Sequence, residues 1–160
     1  MTGTWLVSGV ILIGSTFFAS TPAVGQTGKP PAISGRQFTG GSIKLTVTGS
    51  ARIDQEIPIN TQASYGDGEM TWLQFGASGS EAPNALITYG ETGETGIIIG
   101  RGKFSATGGI IPGEESECSG TVHVTATLVS GQYNCVGVTS NDPPRGMGKV
   151  NIEVRFTAKS

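Results

Sequence analysis

The stretch "KVNIEVRFTAKS", Lys149–Ser160, decides the fold class. Val150, Ile152, Val154, Phe156 and Ala158 fall on one face, and Lys149, Asn151, Glu153, Arg155, Thr157 and Lys159 on the other. This period of two is that of a strand with one face buried and one in water. "SIKLTVTGS", Ser42–Ser50, repeats it by setting Ile43, Leu45 and Val47 against Lys44, Thr46 and Thr48.

Between these ends, strands are expected at Ile57–Asn60, Met70–Ala77, Ala85–Tyr89, Gly96–Ala106, Thr121–Val129 and Gln132–Val138. Turn-forming stretches separate them: "YGDGE", "ASGSEAPN", "GETGETG", "GGIIPGEESE" and "SNDPPRGMG". The 160 residues hold 26 glycines and only 14% charged side chains, which suits short strands and tight turns. One-sided strands bury their apolar faces by stacking or closing on themselves. The expectation is an all-β single domain over residues 42–160, an antiparallel β-sandwich, Ig-like or similar.

"MTGTWLVSGVILIGSTFFASTPAVGQ", Met1–Gln26, carries an apolar run followed by small residues and Pro22. Residues 1–25 read as a signal peptide, cut after Ala23-Val24-Gly25. The run falls short of the roughly 20 mostly apolar residues of a membrane span. No Lys or Arg precedes it, so an uncleaved anchor or a buried hydrophobic segment is the alternative. Membrane contact would come only through this segment. Residues 26–41, rich in Pro, Gly and polar side chains, read as a flexible lead-in. The net charge of -2 and singly scattered cations exclude a nucleic-acid partner.

The two cysteines bracket a hairpin in "ECSGTVHVTATLVSGQYNCVGV", Glu117–Val138. A tight turn at Ser130-Gly131 would pair Ala126 with Cys135 and leave Cys118 about 25 Å along the strand. Bridged Cα atoms lie within roughly 7 Å, so that register forbids a disulfide. Opposing Cys118 to Cys135 instead sets Gly120 against Tyr133, Val122 against Gly131 and Val124 against Val129. The turn is then Thr125–Leu128, which lacks Gly, Asn or Pro. An exported chain favours the bridge, and Tyr133 over a glycine covers exposed backbone. The second register, with a Cys118–Cys135 disulfide as a structural staple, is expected.

Catalytic chemistry finds little material. His123, the only histidine, falls on the polar face of its strand. No G-x-S-x-G elbow is present, and neither "GRGKFS" nor "GMGKVN" completes a phosphate-binding loop. Glu114, Glu115 and Glu117, and Asp67 with Glu69, lack the spacing of a calcium loop and read as solubilising charge. No catalytic residue, metal ligand or cofactor is nominated. "EMTWLQFGAS", Glu69–Ser78, places Leu73, Phe75 and Ala77 on one face and Met70 and Trp72 on the other. An outward Trp72 suits stacking on a sugar or anchoring a protein. Arg145, with Met147, offers a further contact in the loop joining the last strands.

The run "CSGTVHV", then "SGQYNCVGV", then "GKVNIEVRFTAKS" resembles the C-terminal part of mycobacterial secreted or surface-lipoprotein antigens of the LpqH type. The resemblance covers Cys118–Ser160, and no cysteine follows the apolar segment to receive a lipid. It implies a non-enzymatic protein, secreted or in the cell envelope. The expected function is a surface antigen or binding module with a protein or glycan ligand. The alternatives are a small extracellular hydrolase with a carboxylate-based site and a purely structural envelope protein.

Overall fold

Ten strands form among residues 35–142 and 145–160, which the computed structural model describes. They are β1 (Gly40–Gly49), β2 (Ile53–Pro58), β3 (Tyr65–Gly66), β4 (Met70–Phe75) and β5 (Asn84–Gly90), followed by β6 (Thr95–Arg101), β7 (Phe104–Ile110), β8 (Cys118–Val124), β9 (Leu128–Asp142) and β10 (Gly146–Lys159). The signal-peptide stretch, the lead-in up to residue 34 and the Pro143-Pro144 turn lie outside the described residues.

The chain is all-β and antiparallel, as expected, but its strands do not separate into two stacked sheets. All belong to one curled sheet in the order β2-β1-β10-β9-β7-β6-β5-β4-β3, with β8 pairing on β9 off this path. Curling brings the two ends of the order together. Ile59, just past β2, forms a bridge with Phe75 of β4, and Gln37, just before β1, forms one with Tyr65 of β3. Inside the curl, Phe75 meets Phe156 edge-on at 6.3 Å between ring centroids. The apolar faces thus bury against each other within a single sheet.

The alternation in Lys149–Ser160 is realised residue by residue: Val150, Ile152, Val154, Phe156 and Ala158 are buried and the intervening residues exposed. Ile43, Leu45 and Val47 of β1 are fully buried beside them, with Leu45 opposite Val154 and Val47 opposite Ile152.

One expected strand divides. Gly96–Ala106 contains a hairpin, β6–β7, with Arg101 paired to Phe104. Gly102 has φ +58°, the sign a type II′ turn needs at its first central position. The strand-like run on either side masks this two-residue loop in the sequence.

A bulge in β9 organises the rest. Val150 pairs with Val138 and Ile152 with Cys135, so Val136 and Gly137 together face Asn151. Gly137 has φ +69°, and its N–H donates to Asn151 Oδ1 at 2.9 Å. Such a bulge bends its strand. The N-terminal half of β9 accordingly pairs with β8, and its far end with β7 at Ser140 and Asn141.

Residues ahead of the expected boundary at Ser42 already pack on the sheet. Phe38 is buried in the core, and Thr39 N–H donates to the Lys159 carbonyl at 2.8 Å. Phe38 stands alone among polar neighbours, so periodicity gives no sign of it.

Candidate functional site

The β8–β9 hairpin has the register that opposes the cysteines. Cys118 faces Cys135, Gly120 faces Tyr133, Val122 faces Gly131 and Val124 faces Val129. Cys118 and Cys135 form a disulfide. Both are buried beside Gly108 of β7, where a Cβ would lie 2.6 Å from Cys118 Sγ and 3.0 Å from Cys135 Sγ. A disulfide fits an oxidising compartment.

The turn that looked poor has its own chemistry. Thr125 N–H donates to the Leu128 carbonyl at 2.8 Å, and the Thr125 hydroxyl oxygen accepts the Leu128 N–H at 3.1 Å. A hydroxyl bonding nearby backbone in this way replaces the usual turn residues. Arg36 locks the turn from outside: its Nη2 donates to the carbonyls of Thr125 and Ala126 at 2.8 and 2.7 Å.

Tyr133 stacks on Phe156 at 5.9 Å, and its buried hydroxyl faces the Thr95 side chain. Burial pushes the phenol up to about 12. With Thr95, Gly96, Ile97, Ile110 and the disulfide it lines a gap too small for a water molecule. This space is part of the core rather than a surface cleft.

The surface feature with recognition chemistry lies on the outer face of β3–β6. Tyr65 pairs with Trp72, and the two rings stack at 4.9 Å with planes 23° apart. Tyr65 is 50% exposed and Trp72 partly buried. Alternation carries Met70 to the same face, also partly buried, while Leu73 and Phe75 enter the core. Across the sheet Trp72 is followed by Thr88, then Gly96, then Gly109, a row of small residues beside the rings. The next row holds Leu86 and Ile98, the latter 46% exposed. The result is an aromatic pair beside a row of small residues.

Arg145 is not part of this surface. Phe75, Ala85, Ile99, Ala106 and Ser140 form one row across the sheet. Met70 lies below that row and the β9–β10 turn beyond it, so Arg145 and Trp72 sit towards opposite ends of the strands. Arg145 pairs with Asp142 at 3.6 Å and is largely exposed. Met147 is 80% exposed, and Ala77, expected inside with Leu73 and Phe75, is also exposed.

The carboxylates have local roles. Asp67 accepts the N–H groups of Met70 at 2.9 Å and Glu69 at 3.1 Å, closing the β3–β4 turn. The Met70 bond, then the Glu69 bond, hold its carboxyl below the usual range. Glu117 lies 3.9 Å from Lys149, and Glu114 and Glu115 are exposed. Among the described residues no three His, Cys, Asp or Glu side chains converge as a metal site. His123 is exposed on β8 opposite Ser130.

Tyr65 is the residue that periodicity misses. Its strand has two residues, too few for alternation, and "YGDGE" signals only a turn. No family model, curated protein or solved structure matches the chain.

Proposed function

We propose that this chain is a non-catalytic binding module of the cell exterior or envelope, and that Tyr65 and Trp72 are the contact for a glycan. The observation that carries this reading is the Tyr65–Trp72 stack, partly exposed on a sheet face beside Thr88, Gly96 and Gly109. An apolar sugar face stacks on an aromatic ring with little conformational cost, and the small residues beside the rings leave room for the rest of the sugar. Thr88 supplies a hydroxyl next to it. The disulfide, the apolar N-terminal stretch and the likeness of Cys118–Ser160 to LpqH-type antigens support export. The finer architecture in this reading is a sandwich-like folding of the one curled sheet on itself, which the packing of Phe75 on Phe156 supports.

The reading is tested on a glycan panel that includes envelope polysaccharides. The wild-type chain is expected to bind at least one member, and Trp72→Ala and Tyr65→Ala to lose that binding while unfolding at an unchanged temperature within a few degrees. Retained glycan binding in Trp72→Ala removes the platform. Binding of envelope proteins instead, lost in the same variants, makes the ligand a protein. For export, intact mass of the secreted form is expected to begin near Gln26 without an acyl group, and a retained Met1 contradicts cleavage.

A further inference from the structure

Among the described residues, β8 pairs with β9 alone and its other edge with no strand. Thr125 N–H bonds the Leu128 carbonyl, and Val136 N–H bonds the Glu117 carbonyl. With Cys118 opposite Cys135, odd-numbered β8 residues therefore direct their backbone groups at β9. Even-numbered residues direct theirs away. The Cys118 N–H is taken by the Ser116 hydroxyl at 3.0 Å. Gly120, Val122 and Val124 remain, and no described residue bonds their outward N–H and carbonyl groups.

The two strands that end the sheet order are guarded. On β2, Asp54 forms an ion pair with Lys44, Glu56 accepts from Ser42, and Pro58 ends the strand. β3 is two residues long and bridged to Gln37. Charge, proline and shortness are the usual protections of an edge. β8, "CSGTVHV", carries no Lys, Arg, Asp, Glu or Pro. Its Val122 and Val124 are only partly buried at the margin of the core.

We infer that β8 is a self-association edge, joining two copies of this chain in antiparallel register about a two-fold axis at Val122. That register pairs Val122 with Val122 of the second copy and Gly120 with Val124, so every outward backbone group of these residues finds a partner. The half-covered valines meet their counterparts on the core side. On the other face His123 meets Thr121, and no like charges oppose each other. Self-complementarity in hydrogen bonding, with no charge on the strand to oppose it, makes a second copy the occupant that fits.

Sedimentation of the full chain over a concentration series is expected to show reversible dimers. Exchange of the Gly120, Val122 and Val124 amides is expected to slow by at least about tenfold from dilute to concentrated protein. Val122→Pro deletes both bonds at the axis but none to β9, and is expected to weaken association by about thirtyfold while the fold remains. Val122→Lys sets like charges across the axis and is expected to do the same. A monomer at every concentration overturns the inference. So does a dimer that both variants leave intact, because the copies then meet elsewhere. Protection of these amides in dilute monomer also overturns it, since residues 1–34 or another part of the chain then covers the edge.

Discussion

Gly108→Ala is a small substitution that the geometry turns into a large one. A Cβ at 108 would lie 2.6 Å from Cys118 Sγ, 3.0 Å from Cys135 Sγ and 3.5 Å from Ile97 Cγ2. The sulfurs are no flexible side-chain tips: each is held by the other and by a strand backbone, and both residues are buried. One methyl forced into such a site costs about 2 to 3 kcal/mol. The Cys118→Ala, Cys135→Ala protein, whose bridge spans a sequence separation of 17, starts about 3 kcal/mol lower through lost loop closure. In that background the sulfurs are gone and the new methyl fills the space they leave, so Gly108→Ala costs nothing or stabilises slightly. Urea unfolding of the four proteins therefore gives a coupling of about 2 to 3 kcal/mol between position 108 and the bridge. An equal cost of Gly108→Ala with and without the cysteines refutes the placement of the disulfide over β7.

Two further outcomes concern the same half of the sheet. The Tyr133 phenol is pushed up to about 12 by burial, so the unfolded chain ionises first as pH rises. Stability held below pH 10 is then lost between pH 10 and 12 by roughly 2 to 3 kcal/mol. Tyr133→Phe is expected to remove that loss, which urea titrations at each pH measure. Arg36→Ala frees the carbonyls of Thr125 and Ala126, and is expected to cost about 1 to 2 kcal/mol in the same assay.

Strands with one buried face were legible because burial imposes the period of two directly on the side chains. β10 and β1 appear in the sequence almost as they stand in the sheet. The hairpin register was legible for another reason: only one of the two registers lets Cys118 and Cys135 bridge, and an exported chain favours the bridge. What stayed hidden was held by single polar groups or by distant pairing. The Thr125 hydroxyl makes a turn that composition marks as poor, and Gly102 divides a run that otherwise reads as one strand. Closure of one curled sheet depends on bridges from Gln37 to Tyr65 and from Ile59 to Phe75, which carry no local pattern. The candidate site was half visible. Trp72 and Met70 stood out by alternation, whereas Tyr65 joins them only once β3 pairs with β4.

The ligand platform is tested most directly by following the indole N–H resonance of Trp72 during titration with the glycan panel. The account predicts that one glycan class shifts this resonance, together with the amides of Tyr65, Thr88 and Gly96, and leaves Arg145 and the β8 amides unmoved. Glycan binding that shifts residues elsewhere, or a Trp72 signal unmoved by every glycan in the panel, contradicts it.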